Sequence, residues 1–259
     1  MNAEAPDLTC DGFLDGRLRI WQPRHGYRAA VDPVLLAAFV PARPGERVLD
    51  LGCGTGVAAL CLAARVAGLD LHGLELQPGY AELARRNSAA NGGALTVHEG
   101  DLRRPPPALR TQGFDHVLAN PPFHPGTAPG AADAGRDGAH REGEATLADW
   151  IDAGLRRLAP GGALALIHRA ARLGEILAAI EGRAGAVAIL PLASREGRPA
   201  SRVLVRARKG SRAALALWPP LTLHAGEAHA HGGACYSDAA RRVLRDAAAL
   251  MPESPPGAP

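Results

Sequence analysis

The chain has 259 residues, 47% hydrophobic and only 4% aromatic, with 21% charged and a formal net charge of +3. That length buries roughly three-quarters of the unfolded surface, so a full core is expected. Four cysteines (Cys10, Cys53, Cys61, Cys235) without a CxxC pair exclude a disulfide scaffold, apolar runs such as Val34 to Val40 fall short of the ~20 residues of a membrane span, and an acidic start is no leader, so a cytoplasmic protein is expected.

The chain opens as a hairpin: Phe13-Leu14, then Asp15-Gly16 in the type I′ turn position, then Leu18 to Trp21. Asp32 as N-cap and Pro33 at the first position start a helix through Phe39, which Pro41 and Pro44 end. Val48 to Leu51 reads as a buried strand, 52–56 as a turn and 57–66 as a helix. A strand over 69–76, a helix over 78–91 and strands over 95–98 and 116–119 follow. Residues 123–143 are small, polar and Gly-rich, and a loop of about twenty residues inside a compact domain is functional or disordered. Beyond it come a helix over 146–158, a strand over 163–168, a helix over 172–180 and strands over 187–192 and 202–208.

Repeated β-α units with short joints predict a single α/β domain, a mostly parallel sheet with helices on both faces. An N-terminal extension (1–45) precedes the core (46–210). A C-terminal extension (211–259) is expected to add antiparallel strands and a disordered tail. Charge divides unevenly, with net −4 over 1–150 and +7 over 151–259, which points to an anionic partner for the second half.

The strongest ligand signal is Val48-Leu49-Asp50-Leu51-Gly52-Cys53-Gly54-Thr55-Gly56. Glycines at alternate positions let the backbone turn sharply and approach a ligand. A nicotinamide site would place its third glycine at 57, which is Val, and an acid at position 50 suits a ligand with a positive end rather than a diphosphate. Glu75 ends the second core strand, placed to accept two ribose hydroxyls, and Asp101 follows the third, placed to receive an adenine amino group. With those acids, the glycine turn resembles the S-adenosyl-L-methionine site of class I methyltransferases. The resemblance implies a Rossmann-like, seven-stranded sheet.

Asn120-Pro121-Pro122-Phe123 follows the fourth strand at the same edge. The exocyclic amine of a planar base is a poor nucleophile because its lone pair is delocalised into the ring. Two acceptors aimed at its N–H groups, the Asn120 amide oxygen and the Pro121 carbonyl, would pull the nitrogen toward tetrahedral geometry. The prolines Pro121 and Pro122 stiffen the turn, and Phe123 offers a face on which a base can stack. The motif resembles the Asn-Pro-Pro-Tyr/Phe signature of enzymes that methylate adenine N6, guanine N2 and glutamine amides.

The similarity extends further. The segment from Gly26 to Ala38 (Gly26-Tyr27-Arg28-Ala29-Ala30-Val31-Asp32-Pro33-Val34-Leu35-Leu36-Ala37-Ala38), Arg141 with the helix through Trp150, the run from Arg198 to Val205, and Tyr236-Ser237-Asp238-Ala239 resemble the bacterial tRNA1(Val) (adenine-37 N6)-methyltransferase family. That resemblance implies a tRNA substrate, adenine 3′ of the anticodon, and a pocket-closing role for Asp32. The rivals are a ribosomal RNA guanine-N2 methyltransferase, usually with a duplicated domain, and a glutamine N5-methyltransferase, usually with an N-terminal helical domain. A non-enzymatic reading is an RNA-binding module with a vestigial cofactor site. Between Arg195 and Arg212 seven residues are basic, and Arg202, Arg206 and Arg208 alternate with Val203, Val205 and Ala207, so the arginines share one face of a strand. With Arg195, Lys209 and Arg141, that face is expected to take RNA phosphates. His224, His229, His231 and Cys235 lack zinc-like spacing, so no metal is expected. A monomer is expected.

Overall fold

The computed structural model of the chain describes residues 7–123, 145–226 and 235–250. Strands β1 (Leu8–Phe13) and β2 (Leu18–Pro23) form the antiparallel hairpin. Phe13 pairs with Leu18, so the connection exceeds two residues, and Leu14, Asp15 and Gly16 all take positive φ. Leu14 therefore belongs to the turn, where its buried side chain pins the loop to the core. Helix α1 (Val31–Phe39) begins two residues earlier than Asp32 as N-cap would require. Its N-cap is Ala30, with no side-chain cap bond, because Asp32 pairs with Arg202 of the sheet instead. Leu35 and Leu36 are fully buried, and a helix apolar on every side has to be enclosed.

The remaining elements are β3 (Arg47–Leu51), α2 (Val57–Arg65), β4 (Asp70–Glu75), α3 (Pro78–Ala90), β5 (Leu95–Glu99), α4 (Pro107–Arg110), β6 (Phe114–Ala119), α5 (Leu147–Arg157), β7 (Leu158–Arg169), α6 (Leu173–Ile180), β8 (Ala184–Ala193), β9 (Ala200–Lys209), β10 (Ala216–Leu217), β11 (Leu221–Thr222) and α7 (Asp238–Asp246). A capping box starts α5: Thr146 accepts from the Asp149 N–H, and the Asp149 carboxylate accepts from the Thr146 N–H at 2.8 Å, a cap contributing about 1 kcal/mol. Helix α7, capped by Ser237, lies beyond the elements expected from the sequence, because its polar, Arg-rich stretch buries only Ala240 and Val243.

The sheet runs in the order β10-β8-β9-β7-β6-β3-β4-β5, with β11 also on β8. Strands β3 to β7 are parallel, and β9 is antiparallel to both β7 and β8. The short C-terminal strands β10 and β11 pair with β8 in parallel, not antiparallel as expected. The cause is topological: β9 ends beside the start of β8, so a chain turning back from there runs in β8's direction. Strand side chains alternate between two apolar layers. Val48, Leu118 and Leu204 face α1, α2 and α7, while Leu49, Val117 and Val205 face α5 and α6. Strand order reverses at β3, whose neighbours are β4 and β6. Their carboxyl ends open at the switch point, where ligands bind open α/β sheets.

Candidate active site

Outside those strand ends lies an open cleft of about 590 Å³, within the size range of small-molecule sites. Its floor is the turn after β3, where Gly52, Gly54 and Gly56 have φ of 63°, 55° and 85°, left-handed values that side chains resist. A Cβ on Gly52 would also run into the Trp150 indole from α5. Cys53 is buried against Gly73 of β4, and burial holds its thiol well above the usual range. It packs the turn, and burial disfavours its thiolate form.

The acids converge as expected. Asp50 accepts from the Ala59 N–H at 3.3 Å. Burial pushes its carboxyl up to about 7, against that bond and with help from the nearby Glu75. Glu75 accepts from the Gly54 N–H and the Gln77 N–H, both at 2.9 Å and one on each oxygen. Each oxygen is thereby fixed and keeps lone-pair capacity toward the cleft, while burial raises the carboxyl's pKa. Asp101 lines the cleft too, but Arg103 already grips its carboxylate, at 2.6 Å through the guanidinium and 2.8 Å through the backbone N–H. That grip holds it below the usual carboxylate range.

The motif stands opposite the glycine turn. Asn120 donates its Nδ2 to the Tyr27 hydroxyl at 3.2 Å, which fixes the amide and assigns Oδ1 as its acceptor atom. Tyr27 is set there by the hairpin. Buried Gln22 accepts from the Ala29 N–H at 2.7 Å and donates to the Ala29 carbonyl, and Arg28 pairs with Asp11 at 2.7 Å. Tyr80, from α3, accepts the Tyr27 N–H at 3.0 Å. Burial, with Asp32 and Asp50 close by, raises the Tyr27 pKa, so the hydroxyl stays protonated. Phe123 packs against His168 in a T-shaped contact, with ring centroids 5.3 Å apart. Pro121, Pro122 and Phe123 all line the cleft.

The methyltransferase small domain model matches residues 30–181, more than half of the chain. A relative from Dickeya chrysanthemi described as a tRNA1(Val) (adenine(37)-N6)-methyltransferase is 30% identical over 210 residues, covering 79% of this chain and 82% of its own. Another of that description, from Aeromonas hydrophila, is 31% identical over 203 residues, covering 77% and 84%. The chain belongs to this methyltransferase family. Among solved structures, a predicted O-methyltransferase from Agrobacterium tumefaciens superposes with a TM-score of 0.68 at 30% identity, covering 86% of this chain and 99% of that one.

In this methyltransferase the β9 arginines do not form the open face expected of them. Strand β9 is central, and its arginine face is the one α1 covers. Arg206 is half-buried, donates to the Phe39 carbonyl at 3.0 Å and lies over the Phe39 ring. Arg202 turns into the cleft to meet Asp32. Lys209 donates to the Leu158 carbonyl at 2.7 Å. Arg208 is exposed and donates to the Gly161 carbonyl at 2.8 Å. Arg195 reaches the Ala225 carbonyl at 3.4 Å. Arg141, the loop 123–143 beyond Phe123, His229, His231 and the C-terminal tail from 251 lie outside the described residues. Among the described residues no cluster of His, Cys, Asp or Glu is suited to a metal, and no helix is long and apolar enough to cross a membrane.

Sequence reasoning assigned no role to Tyr27, Tyr80, Trp150, Arg103 or His168 at this site. One signal existed: the chain has three tyrosines, and two of them line the cleft.

Proposed function

We propose that this methyltransferase transfers the methyl group of S-adenosyl-L-methionine to the exocyclic N6 of adenine 37 in a tRNA anticodon loop. The observation that carries the reading is the Asn120 amide, held by Tyr27 at the end of β6 and facing the cleft whose floor is the glycine turn. The residues of the cleft fit the cofactor. Gly52 and Gly54 give a floor without side chains, Glu75 offers two fixed carboxylate oxygens for ribose hydroxyls, and Leu76, 64% exposed, offers an apolar surface for a base. Asp50 supplies negative charge for an amino group. Asp101 reaches an adenine amine only by sharing with Arg103. When bound, S-adenosyl-L-methionine supplies an electrophilic methyl group on a sulfonium.

The chain's own residues then orient the nucleophile. Asn120 Oδ1 and the Pro121 carbonyl accept the two N6–H groups, drawing the lone pair out of conjugation, and Phe123 stacks the base. Of the described basic residues, Arg202 lines the cleft and Arg208 is exposed, and these two with Arg195 are proposed to meet RNA; Arg141, outside the described residues, is proposed for the same role from the sequence alone. Arg206 and Lys209 serve the fold. The names of the relatives support tRNA as substrate, and the protein is proposed to act in the cytoplasm, as a monomer, with residues 1–259 forming one functional unit. Labelled S-adenosyl-L-methionine incubated with total RNA from cells lacking the protein, followed by nucleoside analysis, tests this. Label in N6-methyladenosine of the tRNA fraction is expected. Label in N2-methylguanosine, or in protein alone, overturns the substrate.

A further inference from the structure

The motif Asn120-Pro121-Pro122-Phe123 has an unusual anchoring problem. Its two prolines carry no N–H, so the turn cannot be tied down by its own backbone donors at those positions. It has to be held through carbonyls and side chains. Tyr27 holds the Asn120 end. At the other end stands His168, next to last in β7 and two residues beyond Leu166, the partner of Ala119. That register carries β7 past the end of β6 and alongside the motif.

The His168 ring has no exposed surface. Its Nε2 lies 3.2 Å from the Pro122 carbonyl, and a carbonyl only accepts, so Nε2 carries the proton. Its ring and that of Phe123 meet in a tilted, T-shaped contact, with an interplanar angle of 62°. Nδ1 is buried and has no partner among the described residues, a cost that a purely structural aromatic would avoid. Burial lowers the imidazole's pKa to about 4, reinforced by Arg172 and Arg169 and opposed by the Pro122 bond and Glu175. The ring is a neutral donor at physiological pH.

We propose that His168 is a positioning residue: one imidazole fixes both the Pro122 carbonyl and the Phe123 ring, setting the stacking platform against the Asn120 acceptor. The role in turnover rests on the amine-methylation reading above, and the role in holding the turn does not.

Two variants separate donor from ring. His168→Phe keeps an aromatic group against Phe123 and removes the N–H, whereas His168→Gln restores an N–H near the position of Nε2. Hydrogen exchange of the segment ending at Phe123, whose amide is the first N–H after Asn120, is measured on the full-length protein. His168→Phe is expected to speed that exchange at least fivefold, and His168→Gln to leave it near wild type. Equal exchange in wild type and His168→Phe overturns the proposal whatever the substrate. Methyl transfer to tRNA is measured alongside. His168→Phe is expected to lower kcat about tenfold, the scale of a small misplacement of reacting groups, with cofactor affinity within twofold and kcat recovered in His168→Gln. Loss of kcat in both variants alike, at wild-type melting temperature, also overturns it. Absence of transfer by the wild type sinks the proposed function alone, because the exchange result still decides how the turn is held.

Discussion

The carboxylates of the cleft and the arginines of β9 are both legible as patterns in the chain, yet they end in different surroundings. Asp50, Glu75 and Asp101 each sit at or just past the carboxyl end of a parallel strand, and all three line one cleft. Arg202, Arg206 and Arg208 share one face of one strand and are split among a half-buried ion pair at the cleft, a helix-covered packing site and solvent. Strand ends in a β-α unit have one place to go, because parallel connectivity sends every carboxyl end to the same edge. Face alternation says which residues lie together but not what covers them. In this fold α1 covers Arg206 and leaves Arg208 in solvent.

That contrast can be broken first at Asn120. Asn120→Ala is expected to lower kcat by ~10² or more, the scale of one lost preorganised polar contact. The S-adenosyl-L-methionine Kd should stay within about twofold by titration calorimetry. Equal losses in both would make Asn120 part of the cofactor site.

Asp50 sharpens the carboxylate side. Its folded pKa of about 7 means that it is largely protonated below neutrality, and a cationic amino group prefers the ionised form. Cofactor binding should therefore tighten as pH rises to 7 and level off above it, with Kd about tenfold weaker at pH 6 than at pH 8. The same shift runs the other way for stability: a carboxyl whose folded pKa is raised favours folding below its unfolded value, and that contribution is lost as pH rises toward 7. A flat Kd between pH 6 and 8, or a slope that survives Asp50→Asn, would remove Asp50 from the amino-group site.

On the arginine side, Arg206→Met should cost about 1–3 kcal/mol in urea unfolding, because the Phe39 carbonyl loses a charged donor in a half-buried place. The KM for tRNA should be unchanged within twofold. A large rise in KM with normal stability would restore the phosphate-binding role expected from alternation. The smallest effect belongs to Arg208→Ala: exposed, it should change stability by less than about 0.5 kcal/mol. The salt dependence of tRNA binding should flatten by about one charge if it meets phosphate.

Other differences between expectation and structure have the same origin. The core strands, the glycine turn and the motif's place after β6 follow from local rules of periodicity and turn chemistry, and they stand within a few residues of where the chain predicts them. Asp32 reads as a helix cap because Asp-Pro is a good local start. It is instead the partner of Arg202, 170 positions away, and nothing local announces that. Tyr27 lies in a stretch without helix or strand periodicity, and its place beside Asn120 depends on Gln22 and Arg28 tying the linker to the hairpin.

The amino-acid sequence by itself determined the α/β alternation, the switch-point edge where the acids gather and the place of the Asn120-Pro121-Pro122-Phe123 motif after β6, since each rests on spacing along a single segment. Tertiary structure alone decided which side chains surround the site, at the motif, at Gly52 and at Asp32. Tyr27, His168, Trp150 and Arg202 come from the hairpin linker, β7, α5 and β9, and only the packing of those elements around β3 and β6 brings them within hydrogen-bonding and van der Waals reach.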